Sequence, residues 1–169
     1  MADLLTSNGS RIKLGVSLRN LNASQLTYYV TRNLNTAAKL NMVDDCIIFF
    51  DQVSPSPFKT LFSTMNGSEL WDFDGTLITT DISTTLSAQK AVNPARTFFY
   101  VWDLEWSRRN RSQCGDYDYN IKAFTDENIE LIARSKSHAT AISNFCNRKV
   151  KHIVDDFDIN QLMKVVDNE

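Results

Sequence analysis

The sequence predicts a single three-layer α/β domain over residues 1–169, with helices on both faces of a mostly parallel sheet. Short apolar runs rich in β-branched and aromatic residues alternate with segments of helical period, which is the pattern of consecutive strand and helix units. Residues 46–50 (CIIFF) are apolar at every position, as in a strand that is buried on both faces. A chain of 169 residues is long enough for one substantial core and short for two.

The first elements are a strand, a helix and a second strand. Residues 11–19 (RIKLGVSLR) predict a strand that ends near Gly15 to Ser17. Residues 24–40 predict a helix capped by Asn22 or Ser24. One face of this helix is apolar and comprises Leu26, Tyr29, Val30, Leu34, Ala37 and Ala38, and the pair Tyr28 and Tyr29 is expected in the core. The second strand, 46–50, stops at the proline-containing loop 51–57, and residues 60–65 predict a weaker strand.

The middle of the chain is built around the stretch DFDGTL. Asp72 to Gly75 predict a turn, because Asp-Gly is a common turn dipeptide, and residues 76–80 predict the strand that follows. Residues 82–92 predict a short helix that presents Ile82, Leu86 and Val92 and is ended by Pro94.

The carboxyl-terminal half contains the strongest strand pattern, TFFYVWD at 97–103. A long polar loop is expected at 105–124. Strand, helix, strand and helix are then expected at 129–135, 137–146, 150–156 and 159–166, which brings the prediction to seven strands and four or five helices.

Composition excludes several classes of protein. No apolar run approaches the roughly 18 residues of a membrane span, and the first ten residues lack the features of a secretory signal. We therefore expect a cytoplasmic protein without membrane partners. If the protein is viral, this is the cytoplasm of the host. Cys46, Cys114 and Cys146 are expected to be free thiols. The net charge of −2 leaves only the local basic segment Arg108, Arg109 and Arg111 as a candidate contact to nucleic acid; a solvated loop is the simpler interpretation.

The stretch DFDGTL also resembles the nucleophile motif of haloacid-dehalogenase-like phosphatases. The resemblance implies that Asp72 attacks phosphorus, that Ser135 and Lys149 or Lys151 bind the phosphoryl group, and that Asp155 and Asp156 hold Mg²⁺. That motif requires a hydrophobic strand immediately before it. Only Glu69, Leu70 and Trp71 stand between Asp72 and the strand-breaking pair Gly67-Ser68, so we prefer the turn.

A second resemblance covers about 140 residues. The stretches DDCIIFF, LITTDISTTLSAQKAVNPARTFFYVWDLEWSRR and LIARSKSHATAISNFCNRKVKHIVDDFDINQL are similar, in order, to the amino-terminal Rossmann-like domain of GT-B glycosyltransferases, particularly those of T-even-like phages that decorate DNA bases. The resemblance implies transfer of a sugar from a nucleotide donor to a hydroxyl acceptor, which includes modified bases of phage DNA, with no metal required.

The resemblance assigns roles at the ends of the strands, where α/β sheets bind ligands. Asp103 or Glu105 would take a proton from the acceptor hydroxyl, while Asp103 as a turn cap, with Trp102 and Trp106 as packing residues, is the structural alternative. Substrate or phosphate would be bound by Ser17, Arg108, Arg109, Arg134, Ser135 and His138.

Two further expectations accompany this resemblance. GT-B enzymes bind the nucleotide sugar mainly in a second domain, so a donor-binding partner subunit or a second copy of the chain is implied, with DNA as an acceptor reached through the basic segment at 108–111. A non-catalytic interaction module that uses residues 105–124 as its contact surface is the remaining hypothesis, and the sequence leaves open whether the chain is an enzyme at all.

Overall fold

In the part of the chain that the structure describes, seven parallel strands form one sheet at the centre of the protein. The structure is a computed structural model that describes residues 12–54, 58–108 and 115–167. The strands are β1 (Lys13–Leu21), β2 (Asp45–Val53), β3 (Ser63–Asn66), β4 (Thr76–Thr79), β5 (Arg96–Val101), β6 (Ile129–Ala133) and β7 (His152–Ile153). Their order is β3-β2-β1-β4-β5-β6-β7, and every neighbouring pair is parallel. The predicted fold class, a three-layer Rossmann-like α/β domain, is therefore confirmed.

Within the described ranges, five helices cover the two faces of the sheet. They are α1 (Gln25–Lys39), α2 (Ile82–Ala88), α3 (Gly115–Thr125), α4 (Lys136–Cys146) and α5 (Ile159–Val166). Short 3₁₀ segments occupy Gly67–Asp72, Glu105–Arg108 and Asp155–Phe157. Helices α1 and α5 pack on one face, and α2, α3 and α4 on the other. None of the helices in the described ranges is both long and apolar enough to cross a membrane.

Strand β5 shows how the sequence builds both cores. Phe98 and Tyr100 belong to the cluster with α1 and α5, whereas Phe99 and Val101 belong to the cluster with α2, α3 and α4. All four side chains are buried, because successive side chains of a strand point to opposite faces and both faces are covered here. The uninterrupted apolar run in the sequence is the direct consequence.

The order of the strands indicates at which edge of the sheet a ligand would bind. Strands β1 and β4 are neighbours, and the chain proceeds from β1 in one direction and from β4 in the other. In parallel sheets of this kind, ligands bind beyond the carboxyl ends of the strands. Helices α1, α2 and α4 begin at this edge, capped by Ser24, Asp81 and Ser135, whose side chains accept hydrogen bonds from backbone N–H groups of the first turn.

The strand predicted after Gly75 is present, but Asp72 to Gly75 do not form a regular turn, because Asp72 ends a 3₁₀ segment and Phe73 is extended. Residues 67–72 form a 3₁₀ segment that ends at Asp72, and β4 begins one residue after Gly75. Leu70 and Phe73 are buried against β2 and β4, while Asp72 and Asp74 are exposed. Of the two proposed caps for α1, Ser24 is the one that accepts from the Thr27 N–H.

Several predicted boundaries were wrong. Strand β1 continues to Leu21, beyond the end expected near Gly15 to Ser17, because it keeps pairing with β2 up to Val53. Helix α2 ends at Ala88, before Pro94, so Val92 is not on a helix and is 88% exposed. Strand β7 has only two residues instead of the seven of 150–156, because it pairs with β6 at Ile132 and Ala133 alone.

Two further predictions were wrong. The expected loop 105–124 contains the 3₁₀ segment Glu105–Arg108 and most of helix α3, which packs Ala123 and Phe124 against β5 and β6. Tyr28, which was expected in the core, is 43% exposed, because it lies on the outer side of α1 opposite Val30 and Leu34.

Candidate functional site

A cleft of about 430 Å³ opens at the carboxyl edge of the sheet, beyond strands β5, β6 and β7. Its lining comprises Leu104, Arg134, Ser135, Ser137, His138, Ala141 and Asp155. Leu104 follows β5, Arg134 and Ser135 follow β6, and Asp155 follows β7, so three strand ends and the first turns of α4 contribute. Among the residues predicted to bind substrate or phosphate, the structure brings Arg134, Ser135 and His138 together in this cleft.

The amino terminus of α4 faces the cleft with hydrogen-bond donors. Ser135 Oγ accepts from the His138 N–H at 3.2 Å, and the Ser135 carbonyl accepts from the Ala139 N–H at 2.9 Å. Ser135 Oγ also lies 3.0 Å from Ser137 Oγ. Capping therefore uses the third and fourth N–H groups of the turn. The N–H groups of Lys136 and Ser137 have no hydrogen-bond acceptor within the described ranges, and the positive end of the helix dipole lies at the same point.

His138 is held in one tautomer. Its Nδ1 accepts a hydrogen bond of 3.3 Å from the Arg134 N–H. A neutral imidazole with an accepting Nδ1 carries its proton on Nε2. Burial lowers the pKa of His138 below its ordinary value, and the charge of Arg134 lowers it further against the opposing effect of Asp103. The ring is therefore neutral at physiological pH and offers Nε2–H as a donor.

The negative charge of Asp103 opposes the lowering of the His138 pKa. Asp103 follows β5 directly after Trp102 and is half-buried. Glu105 is two residues further on, at the first position of the 3₁₀ segment Glu105–Arg108 and also half-buried. Both predicted catalytic carboxylates thus lie in the segment that leaves the carboxyl end of β5, and between them Leu104 lines the cleft. Their catalytic role stays a prediction.

Arg134 is held by two neighbours. Its guanidinium carbon lies 3.8 Å from the centre of the Trp102 ring, and one terminal nitrogen lies 2.5 Å from Asp156 Oδ1. Its Nε is buried and has no hydrogen-bond partner among the residues that the structure describes. The ion pair with Asp156 compensates most of the charge that was predicted to neutralise a phosphate. Arg134 therefore fixes the ends of β5, β6 and β7 relative to one another as well as lining the cleft.

The segment after β7 adopts a rare backbone conformation. Asp156 and Phe157 have φ values of 39° and 60°, which lie in the left-handed region that residues other than glycine seldom adopt. The buried Tyr100 hydroxyl donates to the Val154 carbonyl at 2.8 Å and accepts from the Phe157 N–H at 3.0 Å. Burial raises the pKa of Tyr100 to about 12, so the hydroxyl keeps its proton.

Sequence reasoning missed the contribution of Tyr100 to this edge and the contacts of Trp102 and Asp156 with Arg134. Tyr100 was assigned only to a strand, and Trp102 was weighed only as a packing residue. The available signal was an aromatic pair at the end of a buried strand with an Arg-Ser pair at the end of the next one. Nothing in the sequence shows that these strands are neighbours, which is what brings the residues together.

The other predicted site residues lie elsewhere. Ser17 is buried in the middle of β1, between Phe49 of β2 and Thr79 of β4, and its carbonyl accepts from the Thr80 hydroxyl at 2.8 Å. Arg108 ends the 3₁₀ segment after β5. Arg109 and Arg111 lie outside the described residues, so the prediction of a basic contact segment stays a prediction.

The residues that the phosphatase alternative requires are separated by the sheet. Asp72 precedes β4 and lies toward the amino edge, whereas Asp155 and Asp156 follow β7 at the carboxyl edge. A strand of four residues alone spans about 13 Å, far more than two carboxylates that share one ion can be apart. In the described ranges, His, Cys, Asp and Glu side chains form no group of three or more suited to a metal ion.

Fold and site define an α/β domain of Rossmann-like order with a polar cleft at the carboxyl edge of its sheet. Comparisons with protein-family models, with curated proteins and with solved structures find no match to this chain. The geometry of the cleft is therefore the basis for a functional proposal.

Proposed function

We propose that this protein is a glycosyltransferase-like domain that transfers a sugar from a nucleotide donor to a hydroxyl acceptor at the carboxyl-edge cleft. The observation that carries the proposal is the arrangement at the carboxyl edge: His138, whose Nδ1 accepts from the Arg134 N–H, lines the cleft with the first turn of α4, and Asp103 follows the neighbouring strand β5. A carboxylate base and a group of neutral donors are what such a transfer needs at one place.

Asp103 is the general base of the proposed reaction. The carboxylate takes the proton of the acceptor hydroxyl while the acceptor oxygen forms its bond to the anomeric carbon. The bond between that carbon and the diphosphate oxygen breaks, and the electron pair leaves with the nucleoside diphosphate. Glu105, in the same segment, is the alternative base.

The leaving diphosphate is stabilised by neutral donors. The N–H groups of Lys136 and Ser137 and the Nε2–H of His138 are directed by the same helical turn. Backbone N–H groups at a helix amino terminus bind phosphate because they combine hydrogen bonds with the helix dipole. This arrangement supports phosphate binding even though the charge of Arg134 is largely compensated by Asp156.

The partners in this proposal follow from the class of reaction. A donor-binding half is supplied by a partner subunit or by a second copy of the chain, and a modified base of phage DNA, reached through the basic segment at 108–111, is one hydroxyl acceptor. The nucleotide sugar is a substrate, and the proposal requires no metal.

The experiment compares wild type with Asp103→Asn in the presence of UDP-, GDP-, ADP- and dTDP-sugars and hydroxyl acceptors that include hydroxymethylated DNA. We expect wild type to release nucleoside diphosphate and Asp103→Asn to lose at least about a hundredfold in rate, because loss of a general base typically costs 10²–10⁴. Donor binding, measured by calorimetry, should change little, since the carboxylate acts on the acceptor.

Asp44→Asn is the matched control. This aspartate is exposed and precedes β2 at the opposite edge of the sheet, so the same chemical change should leave the rate unaltered. Equal rates for Asp103→Asn and wild type would remove the proposed base. The absence of both binding and release for every nucleotide sugar would overturn a transferase formed by copies of this chain and favour the interaction module, for which the exposed Tyr117 and Tyr119 of α3 provide a contact surface.

A further inference from the structure

A second polar groove lies on the outer side of α1, away from the carboxyl-edge cleft. It has a volume of about 370 Å³, and we call it the α1 groove. One wall is the ridge of Tyr28, Arg32, Asn35 and Lys39, which are spaced by four, three and four residues and so lie on one side of the helix. The other wall is formed by Phe58 and Lys59, from the segment that leads to β3.

Asn35 fixes the two walls relative to each other. Its side-chain amide donates to the Lys59 carbonyl at 2.8 Å, and its carbonyl oxygen accepts from the Leu61 N–H at 2.8 Å. Both ends of the Asn35 amide are therefore used to bind the backbone of residues 59–61 to the helix. The two walls of the groove are therefore held together by hydrogen bonds to the backbone.

The groove is positively charged in a protein that is acidic overall. Its lining includes Arg32, Lys39 and Lys59, and no aspartate or glutamate is among the described residues that line it. The sequence around α1 has the same bias, since residues 4–43 contain Arg11, Lys13, Arg19, Arg32 and Lys39 and no acidic residue, although the net charge of the chain is −2. The acidic residue Asp156 contacts α1 on another side of the helix, where its carbonyl accepts from Asn33 at 3.5 Å.

An aromatic pair accompanies the three cations. The rings of Tyr28 and Phe58 have centroids 5.6 Å apart and are tilted by 57°. Tyr28 also contacts Tyr29, with centroids 5.5 Å apart, and still exposes 43% of its surface. A tyrosine that is supported on one side and exposed on the other can stack against a planar ring, while neighbouring lysines and an arginine attract phosphate.

We propose that the α1 groove binds a nucleoside phosphate, with the base against Tyr28 and the phosphates near Arg32, Lys39 and Lys59. The groove has the volume of a small-molecule site, whereas a stable protein partner needs about 800 Å² of contact on each side. The proposal is independent of the sugar-transfer proposal, because none of these residues lines the carboxyl-edge cleft.

The test is a titration of ¹⁵N-labelled full-length protein with ADP, followed by amide NMR. We expect shifts at residues 28–39 and 58–61, in addition to any shifts at residues 134–138 that belong to the cleft. Binding at the α1 groove should weaken as salt is raised, since it depends on phosphate attraction. Shifts confined to residues 134–138, or no shifts at all, would overturn the proposal. The amide shifts report on the groove and on the cleft separately, so the absence of binding at one site does not imply its absence at the other.

Variants separate stacking from charge. Tyr28→Ala should weaken ADP binding at the groove about tenfold or more, because stacking on an aromatic ring contributes substantially for every base. Tyr119→Ala, at an exposed tyrosine of α3, is the matched control. The double variant Lys39→Gln and Lys59→Gln should also weaken binding, whereas Lys164→Gln, at an exposed lysine of α5, should not. Unchanged affinity in both groove variants would contradict the assignment.

Three further probes define the ligand. Adenosine and inorganic pyrophosphate should each bind more weakly than ADP, because each lacks one of the two recognised parts. Equal affinity for pyrophosphate and ADP would reduce the groove to an anion site and overturn the proposal. A short single-stranded oligonucleotide tests whether the ligand is a free nucleotide or part of a nucleic acid. If the oligonucleotide binds residues 28–39 more tightly than ADP does, the natural ligand of the α1 groove is a nucleotide of single-stranded nucleic acid.

Discussion

At the scale of single residues, Gly75 decides where the chain enters the sheet. A Cβ at this position would collide with the Lys13 carbonyl oxygen and would lie 2.6 Å from Phe73 Cζ. Glycine therefore allows the backbones of β1 and the segment before β4 to approach closely. Because β4 begins at the next residue, this contact fixes the segment that carries Asp72 and Asp74 before the strand and outside the carboxyl-edge cleft.

We predict that Gly75→Ala destabilises the protein by about 1–3 kcal/mol, the usual range for overpacking at a buried position. Gly67→Ala is the control. A Cβ there meets the Asp51 carboxylate oxygen at 2.5 Å, and this exposed side chain can rotate away, so we expect a change below about 0.5 kcal/mol. Urea-induced unfolding measures both values. Equal stability of the two variants would show that the contact with Lys13 relaxes without cost.

At the scale of elements, a polar network joins the last three strands to α5. Glu130 on β6 accepts from Arg96 of β5 at 2.6 Å and lies 2.9 Å from His152 Nε2 of β7, and Arg96 also donates to the Val166 carbonyl at 2.9 Å. Burial raises the pKa of Glu130, but the hydrogen bonds from Arg96 and His152 outweigh that effect and hold the pKa below its ordinary value. The network compensates for the small number of backbone pairs that β7 can make.

We predict that this network makes stability depend on pH at the acidic end. A carboxyl group whose pKa is lowered by folding stabilises the protein above its unfolded pKa of about 4.3, and this contribution is lost as the pH falls through the lower folded value. Glu130→Gln should therefore be less stable than wild type at pH 7 by about 0.5–1 kcal/mol, a modest value because the group is partly exposed.

Urea unfolding at several pH values between 7 and 3 measures this effect. The difference between wild type and Glu130→Gln should shrink as the pH falls below about 4.3. Glu127→Gln, an exposed residue before β6, should show no such trend. A difference that stays constant over the whole range would mean that the carboxylate charge of Glu130 does not contribute.

At the scale of the whole molecule, the two edges of the sheet carry different chemistry. The amino edge holds Asp72 and the exposed pair of Lys13 and Asp74, whose side chains lie 2.9 Å apart. The carboxyl edge holds Asp103, His138 and the amino terminus of α4. The phosphatase hypothesis places Asp72, Asp155 and Asp156 in one active site. In the structure, Asp72 lies at the amino edge of the sheet, and Asp155 and Asp156 lie at the carboxyl edge.

We predict that Asp72 takes no part in Mg²⁺-dependent hydrolysis of phosphate esters. Wild type and Asp72→Asn should give the same rate with a chromogenic phosphate ester and Mg²⁺, because Asp72 is too far from Asp155 and Asp156 to share an ion with them. The stability of Asp72→Asn should stay within about 0.5 kcal/mol of wild type, since the residue is exposed. Hydrolysis that disappears in Asp72→Asn would restore the phosphatase hypothesis.

The sequence predicts the elements of this fold more accurately than their ends. The apolar runs of β2 and β5 and the period of α1 are local properties, so they identify these elements directly. The end of β1 depends on how far β2 continues beside it, and the length of β7 on how much of β6 it meets. Helix α3 was missed because its polar sequence has a weak period, and its packing on β5 and β6 is tertiary.

Local composition and period in the sequence are enough to predict an α/β domain, the positions of Asp103, Arg134, Ser135 and His138 at or just after strand ends, and the strand that follows Gly75. The tertiary structure is needed to show which strand ends are neighbours, that Arg134 is paired with Asp156, that His138 accepts a hydrogen bond from the Arg134 N–H, and that Tyr28 faces a basic groove. The physical reason is that these relations depend on strand order and on contacts between residues far apart in the chain, and no local pattern in the sequence encodes them.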